Sequence, residues 1–156
     1  MVSSRQRDLG QLTRDAMIAI GSLLSYGSQY ALLDNVCWTL SELDGKHAGC
    51  RFWSRRALDQ RTDLRHVHSV PRRLLITMLP EVSAPTEENV RRVLDLCVGV
   101  VVTAEEDRAL NAAGMRSRMP EGWDDRDVFA RYRAVGIEVV DTLSVTAGPS
   151  PDPTPR

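Results

Sequence analysis

Apolar residues recur at near-helical spacing in two segments at the start of the chain, residues 6 to 25 and residues 28 to 43. A repeat of this kind predicts amphipathic helices that each bury one side. The two stripes consist of Leu9, Leu12, Met17, Ile18, Ile20, Leu23 and Leu24, and of Tyr30, Leu32, Leu33, Val36, Cys37, Leu40 and Leu43. Gly27 interrupts the pattern between them, and Asp44-Gly45 ends the second stripe as a turn. Residues 1 to 44 are therefore predicted to form two antiparallel helices.

The centre of the chain carries shorter and weaker patterns. Residues 51 to 60 are predicted to form a short helix whose aromatic and apolar residues face inward. Residues 62 to 70 are compatible with either a helix or a strand. Pro71 restricts the preceding residue to an extended conformation and is suited to the start of a helix over residues 72 to 79.

The C-terminal half alternates predicted helices with two β-rich runs. Thr86 is a good N-cap for a helix that ends near Leu96, because two glutamates follow it in the first turn. The run at residues 97 to 102 is rich in valine and predicts a buried strand. The remaining predicted elements are a helix that begins at the capping box Thr103-Ala-Glu-Glu106 and ends at Gly114, a helix over residues 127 to 134, and a strand over residues 137 to 140.

These elements predict an α+β fold that is mostly helical. It combines the N-terminal helical hairpin with a minimal two-stranded β element in the C-terminal half, in which the two β-rich runs pair with each other. A chain of 156 residues suits one globular domain, here residues 1 to 147. Residues 148 to 156 contain four prolines and predict a disordered tail.

Composition places the protein among globular chains and points to the cytoplasm. The net charge is -1, so any attraction to nucleic acid has to come from a local charge asymmetry. Three cysteines without a framework spacing fit a reducing compartment. No signal sequence is recognisable, and no apolar run approaches the roughly 20 residues of a membrane span.

Charge is distributed in two blocks of opposite sign. Residues 51 to 73 carry seven arginines and two aspartates, whereas residues 81 to 107 carry seven acidic residues and two arginines. The first block is a candidate phosphate-binding face, because arginine makes forked contacts to phosphate. Its candidate nucleic-acid-binding residues are Arg51, Arg55, Arg56, Arg65, Arg72 and Arg73. The alternative is that the two blocks pair with each other or form a solvated surface.

A histidine pair lies inside the basic block. If residues 64 to 70 are extended, His66 and His68 point to the same side. His68 and Pro71 form a His-x-x-Pro sequence that resembles the core of HNH-type ββα-metal nucleases. The resemblance implies that His68 is the general base that activates water, with His66 as the second candidate catalytic residue.

The sequence departs from the HNH pattern at the metal ligands. Val67 stands where the family has a carboxylate, and no histidine follows His68. We therefore predict no metal ion of the HNH type and no cofactor. A structural zinc site built from His47-x2-Cys50 and the histidine pair is the alternative, although neither spacing matches a common zinc knuckle.

Two functional hypotheses follow from the sequence. The first is a small intracellular nucleic-acid-associated protein, either a degenerate or a divergent HNH-like nuclease. The second is a non-catalytic helical module that binds a protein partner or a second copy of itself. The two differ in whether the arginines of residues 51 to 73 line one open groove with both histidines or are dispersed and paired with acidic side chains.

Overall fold

The computed structural model describes residues 4–22, 25–82 and 84–145, and it confirms a mostly helical α+β fold. The predicted tail, residues 148 to 156, lies outside the described residues. In chain order the elements are α1 (Ser4–Gly21), α2 (Tyr26–Ser41), β1 (Phe52–Ser54), α3 (Arg55–Gln60), β2 (Leu64–His68), α4 (Arg72–Met78), a 3-10 turn (Leu79–Glu81), α5 (Glu87–Leu94), β3 (Gly99–Thr103), α6 (Ala104–Ala112), α7 (Ala130–Ala134), β4 (Val139–Asp141) and α8 (Thr142–Val145). Within the described ranges, no helix is both long and apolar enough to cross a bilayer.

The N-terminal hairpin is present as predicted. The side chain of Ser25 caps α2, and the side-chain amide of Gln29 donates to the carbonyl oxygens of Ala19 and Ile20 at the end of α1. These bonds satisfy acceptors that a helix end leaves open. The inward sides of the two helices join the main core, which contains Leu12, Ala16, Leu33, Val36, Cys37 and Leu40 together with residues of α4 and α5.

The sheet is larger than the sequence predicts. It has four strands in the order β2-β3-β1-β4, with β1 parallel to β3 and the two outer pairs antiparallel. The two β-rich runs of the C-terminal half do supply strands, but they do not pair with each other because β1 lies between them. The predicted helix over residues 51 to 60 begins only at Arg55, since Ser54 caps it and the preceding aromatic residues pair with strands on both sides.

The central strand β3 is buried along its whole length. On one face of the sheet, Val100 and Val102 pack with Leu110 and Tyr132. On the other face, Val101 packs with Trp53, Ala57 and Cys50. Both faces of β3 are therefore covered, which explains why its sequence is a continuous apolar run rather than an alternating one.

Helix signals in the second half are confirmed with one change of boundary. Thr86 caps α5, and Thr103 with Glu106 forms a complete capping box for α6. The helix predicted over residues 127 to 134 starts later, at Ala130. In the segment before Ala130, the side chain of Asp124 accepts a hydrogen bond from the backbone N–H of Asp127, and the side chain of Asp127 accepts one from the backbone N–H of Phe129. These bonds hold residues 124 to 129 in turns.

One buried carboxylate joins the carboxyl ends of the two parallel strands. Glu106 is only 8% exposed. Its Oε2 atom accepts hydrogen bonds from Ser54 Oγ at 2.6 Å, Thr103 N at 2.9 Å and Thr103 Oγ1 at 3.2 Å. Ser54 is the N-cap of α3 and Thr103 is the N-cap of α6. A single side chain therefore fixes the starts of both helices relative to the sheet.

Replacing Glu106 by alanine should reduce the free energy of unfolding by roughly 2–3 kcal/mol, because three charged hydrogen bonds are lost and their buried donors, on Ser54 and Thr103, lose this acceptor. Chemical denaturation measures this change. Glu105→Ala is the matched control, since the neighbouring Glu105 is solvated and makes an ion pair only with Arg56. Equal losses in the two variants would contradict the role assigned to Glu106.

Candidate functional site

The two histidines lie side by side beneath helix α2. Residues 64 to 68 are extended, so His66 and His68 share one face of β2, as predicted. Their ring centroids are 6.2 Å apart, and the Trp38 ring is 6.4 Å from His66 and 5.4 Å from His68. The three rings form an aromatic cluster between the edge of the sheet and α2.

Burial keeps the imidazole of His68 neutral. The residue is 7% exposed, and desolvation, followed by the positive charge of Arg72, lowers its pKa to about 3. Burial also lowers the pKa of His66, against the opposing effect of Glu42. A neutral imidazole can act as a base in principle. Here, however, His68 Nε2 is enclosed and has no hydrogen-bond partner among the described residues.

A glycine in β3 makes room for the cluster. A Cβ atom on Gly99 would lie 2.4 Å from His66 Nε2 and 2.8 Å from the carbonyl oxygen of Ser41. Both distances are far below a normal contact, so only glycine allows β3, the His66 ring and the end of α2 to meet. A glycine inside a predicted strand is the sequence signal for this close approach.

The predicted zinc ligands are not brought together. Cys50 is buried and its thiol donates to the carbonyl oxygens of Gly99 and Phe52, whereas His47 is exposed in the preceding loop. Within the described part of the chain, no three histidine, cysteine or acidic side chains lie close enough to hold a metal ion.

The other face of β2 carries Arg65, which is exposed, and Val67. Val67, which occupies the position of the HNH carboxylate, packs against the cluster that contains Leu110 and Tyr132. At the C-terminal end of β2, the guanidinium of Arg131 and the hydroxyl of Tyr132 donate hydrogen bonds to the carbonyl oxygen of His68. These contacts fix the end of β2 and give the backbone of His68 a structural role.

Three of the candidate arginines are paired with acidic residues of the C-terminal half. Arg51 forms a two-point contact with Asp141, with distances of 2.9 and 2.6 Å, and this contact lowers the pKa of Asp141 to about 2. The other two pairs are Arg55 with Glu138 and Arg56 with Glu105. Only Glu105 belongs to the acidic block of residues 81 to 107.

Arg65, Arg72 and Arg73 have three different environments. Arg72 stacks on Trp38 with 4.5 Å between its guanidinium carbon and the ring centroid, and it pairs with Asp34 at 3.1 Å. Arg65 is exposed and donates a hydrogen bond to the carbonyl oxygen of Leu64. Arg73 is exposed, and its side chain contacts no acidic group among the described residues.

The topology separates the candidate arginines into two groups. Strand β2 runs antiparallel to β3, whereas β1 runs parallel to it. The C-terminal ends of β2 and β1 therefore lie at opposite ends of the sheet along the strand direction. Arg72 and Arg73 follow β2, whereas Arg55 and Arg56 follow β1. The structure does not bring the six predicted arginines and the histidine pair into one groove.

A surface that the sequence did not single out lies on the outward side of the hairpin. Ile18, Tyr26 and Leu32 are 69%, 74% and 45% exposed, respectively. The sixteen residues of α2 include one charged residue, Asp34, which Arg72 neutralises. We call the exposed side chains Ile18, Tyr26 and Leu32 the hairpin face. Ile18 and Leu32 belong to the apolar stripes that predict the buried sides of the two helices, but the structure leaves both exposed, so this part of the prediction is wrong.

Comparison of the chain with protein-family models, with curated proteins and with solved structures finds no match.

Arg72→Ala should destabilise the fold by about 1 kcal/mol, since it removes a half-exposed ion pair and a cation–π contact. Arg73→Ala is the matched control and should leave the melting temperature unchanged. Thermal unfolding of both variants measures the difference. Equal effects would show that the contacts of Arg72 with Asp34 and Trp38 contribute nothing.

His68 should make the protein less stable in acid. The unfolded chain binds a proton near the ordinary histidine pKa of 6.5, whereas folded His68 binds one only near 3. Its contribution to stability is therefore complete above pH 6.5 and is lost as the pH falls toward 3, at up to about 1.4 kcal/mol per pH unit.

Denaturation curves of the wild type and of His68→Leu measure this contribution, and the free energy of unfolding should depend less on pH in the variant. His47→Gln, in the exposed loop, should retain the wild-type dependence. The same pH dependence in wild type and His68→Leu would show that His68 is not neutral in the fold.

Proposed function

We propose that this protein is a non-catalytic interaction module whose helical hairpin pairs with the hairpin of a second copy. The observation that carries the proposal is the hairpin face, the three large apolar side chains that α1 and α2 leave exposed to solvent. Large apolar side chains exposed on neighbouring elements are a feature of protein interaction sites.

The composition of α2 supports the same conclusion. Its buried side carries Leu33, Val36, Cys37 and Leu40, and its opposite side also lacks charged residues other than the neutralised Asp34. Its exposed side is polar but uncharged, with Ser28, Asn35 and Thr39 among the exposed residues. Depletion of charged residues is a feature of interface cores. Trp38 with Arg72 beside it adds the residue types that dominate the energetics of interface cores.

Charge favours a second copy as the partner. In a twofold contact each surface meets itself, so any net charge on it would be repelled by the same charge on the other chain. The hairpin face contains no charged side chain, and Asp34 with Arg72 forms a neutral pair nearby. Arg14 and Asp15, one turn before Ile18 on α1, have opposite charges, so two such faces can associate without a net like-charge repulsion.

Nucleic-acid association has less support from the contacts. Arg51, Arg55 and Arg56 are engaged with carboxylates, and phosphate would have to compete with these ion pairs. The neutral, enclosed imidazole of His68 has no carboxylate or metal ligand arranged beside it among the described residues. Hydrolysis of a phosphodiester in the manner of an HNH nuclease would need a metal ion held beside this histidine.

Sedimentation equilibrium tests the proposal directly. The wild-type protein should show a reversible monomer–dimer equilibrium, and the double variant Ile18→Lys with Leu32→Lys should be monomeric with an unchanged fold. Leu143→Lys is the control, because Leu143 is 62% exposed and lies on α8, outside the hairpin. A wild-type protein that remains monomeric at its highest soluble concentration, or a dimer that the double variant retains, would contradict the proposal.

A further inference from the structure

A crevice lies outside the carboxyl ends of the parallel strands β1 and β3, at a distance from the hairpin. It has a volume of about 470 Å³ and is bounded by the first turns of α3 and α6 and by the turn that precedes β4. In sheets with parallel strands, ligands commonly bind at this edge, because the loops and helix starts that follow the strands enclose a space there. Its volume falls within the usual range for small-molecule pockets.

The charges of the crevice do not balance. Arg55 and Arg56 lie on its rim, but each is neutralised by a glutamate, Glu138 and Glu105, respectively. Asp59 also lines the crevice, and its carboxylate has no ion pair or hydrogen bond with any other described residue. With Glu106 included, the crevice is lined by two arginines and four carboxylates, which gives it a net formal charge of -2.

Glu106 places an acceptor on the buried side of the crevice. Three donors converge on its Oε2 atom, whereas no donor among the described residues contacts Oε1. The side chain is more than nine-tenths buried and still lines the crevice. A ligand with N–H donors would therefore find a carboxylate oxygen held in a fixed position, and hydrogen bonds to a charged acceptor are stronger than those to a neutral one.

Apolar groups form the remaining wall. Ala109, Val135 and Ile137 line the crevice next to the charged rim. A ligand that fits this environment has a short hydrocarbon stem for the apolar wall and a cationic head for Glu106 and Asp59. The head needs several N–H donors to reach both carboxylates, because Glu106 is buried and Asp59 is exposed.

We propose that this crevice binds a small alkylguanidinium compound. Its planar head donates to Glu106 Oε1 and to the carboxylate of Asp59, and its hydrocarbon stem packs on Ala109, Val135 and Ile137. The proposal is independent of the hairpin face, which lies on other elements and has a different chemistry.

The probe for this site is butylguanidinium, with butylurea as its uncharged counterpart of nearly the same shape. In NMR titrations of the full chain at millimolar probe, butylguanidinium should shift the backbone resonances of Glu105 and Gly136 and the side-chain amide of Gln60 saturably. Butylurea should shift none of them. These signals border the crevice, so they distinguish binding there from general effects of a guanidinium compound.

Asp59→Asn should weaken butylguanidinium binding several-fold without altering the fold, because Asp59 is exposed and unpaired. Asp95→Asn is the matched control, since Asp95 is an exposed aspartate at the opposite edge of the sheet, and it should bind like the wild type. Glu106→Gln should weaken binding further if it remains folded, which its NMR spectrum reports. No saturable shifts, equal shifts with butylurea, or unchanged binding by Asp59→Asn would each overturn the proposal.

Discussion

The carboxylate of Glu106 is the interaction on which the architecture most depends. It binds Ser54 at the end of β1 and Thr103 at the end of β3, and these residues also cap α3 and α6. Since β1 is only three residues long, its backbone pairing alone fixes little. The buried hydrogen bonds supply what the short strand lacks, and they hold the central strand β3 between two layers of helices.

This arrangement determines what the arginines of residues 51 to 73 do. Strands β1 and β4 pair in an antiparallel register. Because of this register, Arg51 lies beside Asp141 and Arg55 lies beside Glu138. Once α6 starts beside α3, Arg56 meets Glu105. The ion pairs at the sheet edge are therefore consequences of the fold, and they neutralise cations that the sequence presents as a single positive block.

The histidine pair follows from the same packing. β2 pairs with the far side of β3, and Gly99 lets the His66 ring approach the end of α2. Trp38 and Arg72 then cover His68, whose pKa falls because its charged form would be desolvated beside another cation. The result is a neutral aromatic cluster that joins the hairpin to the sheet.

Sequence patterns predicted the elements whose signals are local. The hairpin has two long apolar repeats, and the caps at Thr86 and Thr103 depend on residues within one turn. Strand β1 lies where a helix was predicted, and the segment of β2 was left open between helix and strand. Three to five residues carry no measurable period, and what makes both segments strands is their pairing with β3. The ion pairs were out of reach for the same reason: Arg51 and Asp141 lie 90 residues apart.

The central claim is that the paired arginines, Arg51, Arg55, Arg56 and Arg72, serve the fold and that the hairpin serves association. Titration of fluorescently labelled duplex DNA and single-stranded RNA with the wild-type protein at low ionic strength tests it most directly, because electrostatic binding to phosphate is strongest under that condition. The account predicts no saturable change in fluorescence anisotropy with either nucleic acid. Saturable binding that weakens steeply as salt is added would contradict it and would identify the arginines as a phosphate-binding surface.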